Sequence, residues 1–122
     1  MKMVKLEDVE KRNMTEQPLF EGGKVFAQMG FLSDIAKILS VGVMTFEPGA
    51  TTKFHAHDYE QVLYALSGNG RVATEKEEFI ITPGTFVFFA PGENHAHGAT
   101  KDSQFLQLTI SNPGQTTVMY KM

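Results

Sequence analysis

The chain has 122 residues and not one of them is cysteine. Disulfides, thiolate zinc sites, iron–sulfur clusters and thiol nucleophiles are therefore excluded together. Tryptophan is also absent, and neither sign of charge dominates: 11 Lys and Arg face 14 Asp and Glu, a net charge of −3. Without a basic stripe there is no source for the phosphate neutralisation that drives nucleic-acid binding, so no nucleic-acid partner is expected. Long apolar runs are missing as well. No stretch approaches a membrane span, and the segment Met1–Met14 mixes charges where a signal peptide would be apolar. The expectation is a cytoplasmic protein with no membrane partner. At 42% hydrophobic and 20% charged, the composition is that of one globular domain with one core.

What the chain does have is four histidines placed as two H-x-H pairs, His55 with His57 and His95 with His97, and none elsewhere. The first 23 residues are the most polar, with Glu7, Asp8, Glu10, Lys11 and Arg12 close together ahead of Gly22-Gly23. They read as an arm with a solvated charged face and room for one short helical turn over 6–13. From Lys24 onward, short runs of Val, Ile, Phe and Thr are punctuated by Gly and Pro, at Pro48-Gly49, Gly68-Asn69-Gly70, Pro83-Gly84, Pro91-Gly92 and Pro113-Gly114 among others. This is all-β punctuation.

Strands are expected over 25–29, 38–46, 53–57, 61–66, 71–75, 78–81, 85–89, 95–97, 104–110 and 117–120, with a hairpin tip at Thr74–Glu78. The run Thr85-Phe86-Val87-Phe88-Phe89 is apolar enough to predict a strand covered on both faces, with Phe46, Phe86, Phe88 and Phe89 as core or pocket wall. So many short strands require a closed or sandwiched barrel to cover their faces and edges. Of the seven methionines, Met1, Met3, Met14 and Met122 sit near the ends and only Met29, Met44 and Met119 fall on expected strands.

In an extended strand, residues two apart point the same way and lie about 7 Å apart, so each H-x-H pair presents two imidazoles to one side. Two such pairs from segments about forty residues apart can converge only in a barrel. With thiolate excluded, imidazole with oxygen donors or water suits later first-row metals and zinc. Gln61 shares the parity of His57, but along a straight strand it would lie about 13 Å away. A bend at Asp58-Tyr59 would bring it back. Glu60, the stronger ligand by chemistry, has the opposite parity and should face outward.

These residues carry a resemblance. Gly49-x5-His55-x-His57-x3-Gln61-x6-Gly68 resembles the first cupin motif, G-x5-H-x-H-x3,4-E-x6-G. Gly84-x7-Gly92-x2-His95 resembles the second, G-x5-P-x-G-x2-H-x3-N. The wording at 45–50 and 91–99 is similar to that of small single-domain cupins with an H-W-H-G-A signature, associated with carboxymuconolactone decarboxylases. There are three departures: Gln61 replaces the usual carboxylate, Ala90 with Pro91 replaces the usual Pro, and Ala99 replaces the final Asn. The resemblance implies an all-β double-stranded β-helix, a jelly-roll-like antiparallel barrel over 31–122. The arm 1–30 would add Val25–Met29 to its own or a partner's sheet, giving a homodimer. It also implies one divalent transition metal per chain, Mn, Fe, Ni, Zn or Cu, held by His55, His57, Gln61 and His95. Three neutral rings and an amide leave the dipositive charge uncompensated, which favours an anionic ligand.

His97 is then extra, either a general acid/base or a hydrogen-bonded wall residue. Tyr64, Arg71, Phe88 and Gln107 are weaker candidates for the pocket, with packing or surface roles as the alternative. The function expected is a metal-dependent enzyme acting on a small organic acid or oxygenated substrate, of the decarboxylase, isomerase, lyase or dioxygenase type. A metal-bearing protein that binds or senses a small molecule without turnover is the second reading. A metal-free barrel with acid/base histidines is the third.

Overall fold

The computed structural model describes residues 1–112, 114 and 116–120, with the backbone alone for Met119 and Tyr120. The turn residue Pro113, the terminal Met122 and the side chain of Met119 lie outside the described residues. A single 3-10 turn, Leu6–Asp8, precedes the strands. These are β1 (Arg12–Asn13), β2 (Phe20–Glu21), β3 (Val25–Met29), β4 (Ser40–Phe46), β5 (Thr51–Thr52), β6 (Phe54–His57), β7 (Gln61–Ser67), β8 (Gly70–Thr74), β9 (Glu78–Ile81), β10 (Phe86–Phe89), β11 (His95–Ala99), β12 (Phe105–Ser111) and β13 (Thr116–Tyr120).

They form two antiparallel sheets, one ordered β1-β3-β4-β12-β7-β10 and the other β13-β6-β11-β5-β2, with β8 on the free side of β11 and β9 beyond it. This is the expected all-β barrel of double-stranded β-helix type. Ten of its strands fall where the alternation placed them, and β3 and β9 agree residue for residue. The short strands β1, β2 and β5 had no signal, since two residues are too few to show a period.

Strict alternation aims the interior. In β12, Phe105, Gln107 and Thr109 are buried while Leu106, Leu108 and Ile110 between them are only half-buried. In β7 the same holds for Gln61, Leu63 and Ala65. Phe46, Phe105, Leu63 and Val25 are fully buried and pack with Phe20, Met44 and Phe89 into one core. Each large side chain of this kind stabilises the fold by about 1.5–3 kcal/mol. Strand β11, at the centre of the second sheet, is buried at every position. It manages this by carrying small residues on its outer side: Ala96 sits under Phe54 and beside Ala73, and Gly98 lies against the Ala50 carbonyl and Thr51.

The glycines framing the histidine motifs, Gly49, Gly68, Gly84 and Gly92, all have φ between +75° and +93°, a region that a side chain disfavours. This ties the motif spacing to its turns.

One expectation needs restating. The run 85–89 is not covered on both faces: β10 is the edge of its sheet, Phe86 and Phe88 are 71% and 55% exposed, and Phe89 is buried. Among the described residues β10 pairs with a strand on one side only, and the apolar texture here marks an open face. The arm pairs within its own chain. β1 pairs with β3, β2 with β5, and β3 with β4 of the same barrel. Its charged stretch, from Glu7 to Arg12, stays at the surface apart from half-buried Val9.

Candidate metal centre

Backbone register brings the two histidine pairs together. β11 runs antiparallel to β6 with His95 directly opposite His55. The ring centroids of His55 and His95 are 4.3 Å apart, those of His55 and His57 4.8 Å, and those of His57 and His95 5.1 Å. His97 lies parallel to His95 at 6.0 Å and 5.7 Å from His55. All four rings are buried. His55, His95 and His97 each offer a ring nitrogen within 4.8 Å of the others', and this group can form a metal site.

The chain bends at Asp58-Tyr59 after β6, and β7 opens with Gln61 buried while Glu60 stays exposed. Gln61 lines the same cavity as His55, His57 and His97 and interacts with the His57 ring.

The far side of each ring is anchored differently. His55 Nδ1–H donates to the Lys53 carbonyl and His95 Nδ1–H to the Glu93 carbonyl, each at 2.8 Å and each two residues back along its own chain. A carbonyl only accepts, so these rings carry their proton on Nδ1 and leave Nε2 with its lone pair. His57 Nδ1 instead meets the Thr116 hydroxyl at 2.7 Å, and Tyr59 stacks on the ring. His97 Nδ1 is buried with no partner among the described residues. Phe89 stacks on His95 at 3.9 Å, and Phe46 meets His97 edge-on.

Burial pushes the His55 ring down to about 3, helped by the neighbouring His95 and His57 and resisted by the Lys53 carbonyl. Burial pushes His95 down to about 4, resisted by the Glu93 carbonyl and helped by His57. His57 is lowered by burial, with Gln61 and Asp58 opposing. His97 falls well below the usual range through burial and then the three other rings, with Gln107 opposing. At neutral pH the cluster is therefore uncharged.

These residues fit a divalent cation. His57 Nε2, His95 Nε2, His97 Nδ1 and Gln61 Oε1 are all buried without a hydrogen-bond partner among the described residues. Unsatisfied buried acceptors gathered in one place are costly unless something ligates them. Neutral imidazole is the form that binds metal.

Other candidates scatter. Gln107 points inward, fully buried, and donates from Nε2 to Thr109 Oγ1 at 2.9 Å. Tyr64 packs on Phe86, Arg71 pairs with Glu78 beside the β8–β9 hairpin, and Phe88 faces a different cleft. None of these last three lines the cavity at the histidines.

That cavity, about 200 Å³, is walled by Met14, Leu19, Phe20 and Met29 from the arm and by Met44 from the barrel. Sequence reading missed the arm's part in it. The one available signal was the apolar pair Leu19-Phe20 just before Gly22-Gly23. Thr116 was also missed, because nothing in a lone threonine marks it as a partner for a residue 59 positions away. No helix among the described residues is long and apolar enough to cross a membrane.

Comparison with known proteins agrees with this architecture. The (R)-mandelonitrile lyase of Granulicella tundricola is 43% identical over 70 residues, which are 55% of this chain and 52% of that protein. The chain thus spans about half the length of the curated relative it matches. A cupin-like protein from Thermotoga maritima superposes with a TM-score of 0.79 at 26% identity, over 87% of this chain and 83% of the other. The polyketide cyclase RemF from Streptomyces resistomycificus shares the fold at a TM-score of 0.84 and 18% identity, over 100% and 87% of the two chains. The cupin domain family matches residues 42–111, which hold both histidine pairs and the strands β5 to β12, and the chain belongs to that family.

Proposed function

We propose that the chain is a metal-dependent enzyme of the lyase type acting on a small oxygenated molecule, with α-hydroxynitriles as its substrate class. The observation that carries this reading is the set of neutral, buried imidazoles with unpartnered ring nitrogens beside a small, mostly apolar cavity. The relationship to a mandelonitrile lyase over the segment bearing the histidines supports the substrate class.

In this reading His55, His57, His95 and Gln61 hold the ion, because each of the three rings has its Nδ1 side anchored, and Nε2 of His57 and His95 and Oε1 of Gln61 are buried without a partner among the described residues. A bound divalent metal supplies Lewis-acid charge that lowers the pKa of a hydroxyl placed beside it. His97 Nδ1 is buried without a hydrogen-bond partner among the described residues, with Gln107 acting on the ring. It takes the proton of the substrate hydroxyl as the bond to the nitrile carbon breaks and the carbonyl forms. The same proton then goes to the departing cyanide. Leu19, Phe20 and Met44 exclude water and hold the organic group. The rings themselves carry no charge of either sign at neutral pH and do not repel negative charge developing on the substrate.

The test is release of benzaldehyde from mandelonitrile, followed by absorbance, with protein purified without an affinity tag and loaded with Mn²⁺, Fe²⁺, Ni²⁺, Zn²⁺ or Cu²⁺ in turn. Metal-dependent turnover that disappears in His97→Ala, with metal content retained, is expected. Tight binding without product would assign a binding protein instead, and failure to take up any metal would leave a metal-free barrel.

A homodimer belongs to the same proposal. Phe86 and Phe88, with Leu66 on the next strand, leave an apolar surface of the kind a second copy covers.

A further inference from the structure

We propose that Thr116, on the C-terminal strand, is the positioning residue that makes His57 a metal-binding ring; the inference rests on the metal-centre reading above. The other anchored rings need no such help. His55 and His95 face backbone carbonyls, and a carbonyl cannot donate, so their tautomer is fixed by the chain itself. His57 faces a hydroxyl, which can give or take a proton. Were Thr116 to donate to Nδ1, the proton of His57 would sit on Nε2 and the ring could not ligate.

The surroundings favour the other arrangement. Tyr59 places its own hydroxyl 3.3 Å from Thr116 Oγ1, giving the threonine proton an acceptor, so that Oγ1 accepts from His57 Nδ1–H. The Tyr59 ring stacks on His57 with centroids 4.5 Å apart and 26° between planes, which fixes the tilt of the imidazole as the hydrogen bond fixes its rotation. His57 Nε2 then carries a lone pair, and it is one of the buried atoms without a partner among the described residues. Register supports the same relationship, since Thr116 is the residue opposite His57 where β13 pairs with β6. The last strand of the chain thereby orients a ligand in the first histidine pair, and outer hydrogen-bond partners of this kind commonly govern metal affinity.

Thr116 is exposed, so its replacement does not threaten the fold. Titration of the full-length protein with Co²⁺, read by visible absorption, compares wild type with Thr116→Val and Thr116→Ser. The valine variant keeps the shape but loses the hydroxyl, and is expected to bind Co²⁺ about 10–100-fold more weakly with a changed ligand-field spectrum. The serine variant should restore affinity and spectrum, and the metal-free melting curves of all three should coincide. Wild-type affinity and spectrum in Thr116→Val, or no rescue by serine, would overturn the role of Thr116 while leaving the metal centre standing. Failure of the wild type to bind any divalent metal would overturn both.

Discussion

His95 lies directly opposite His55 across the β11–β6 ladder, with their rings 4.3 Å apart and both Nε2 atoms on the side away from their carbonyl anchors. Neither ring can be removed without leaving the other short of a neighbour. His95→Ala should therefore cost more metal affinity than the about 10–100-fold that loss of an outer partner costs. Equilibrium dialysis against Zn²⁺ checks this, and binding within tenfold of wild type would remove His95 from the ligand set.

The metal-free protein should lose stability in acid. The folded chain holds His55 at about 3 and His95 at about 4, whereas the ordinary value is 6.5. Between these limits the unfolded chain binds protons that the folded chain refuses, so stability rises with pH there. It is complete above pH 6.5 and is lost as pH falls toward 4 and then 3. Urea unfolding at pH 7.5 and pH 5 should differ by a few kcal/mol. Midpoints that coincide would mean the rings are already charged or exposed in the folded state.

Gly98 sits between His97 and Ala99 with the Ala50 carbonyl and the Thr51 backbone where a Cβ would go. Those are backbone atoms and cannot swing aside. Gly98→Ala should push β11 from β5, destabilise the fold by about 1–3 kcal/mol and weaken metal binding by displacing His95 on the same strand. Unchanged denaturation would show that the two strands part at little cost.

The open face of β10 supplies a check on assembly. Light scattering of the wild type at micromolar concentration should give the mass of a dimer, and Phe86→Ser combined with Phe88→Ser should give a monomer. A monomeric wild type would remove the dimer from the proposal.

Much of this fold is written locally. The period of two in Gln61–Ser67 and Phe105–Ser111, and the glycines at positive φ, are short-range properties that survive in one dimension. The bend at Asp58-Tyr59 and the inward facing of Gln61 follow from parity in the same way. The exposure of Phe86 and Phe88 does not, because an apolar run reads alike whether a second layer covers it or not. Nor does the displacement of Tyr64, Arg71 and Phe88 from the cavity, since side assignment needs to know which face of each sheet is the interior.

The sequence by itself determined the all-β class, the turns, the two histidine pairs and the absence of any thiol ligand. Only the tertiary structure decided that the arm walls the cavity with Leu19 and Phe20, that His97 stands close enough to His55 and His95 to form a group with them, and that Thr116 anchors His57. The physical reason is range: alternation and turn chemistry act over a few residues, whereas register between strands 40 to 60 residues apart is set by how both sheets bury their faces at once.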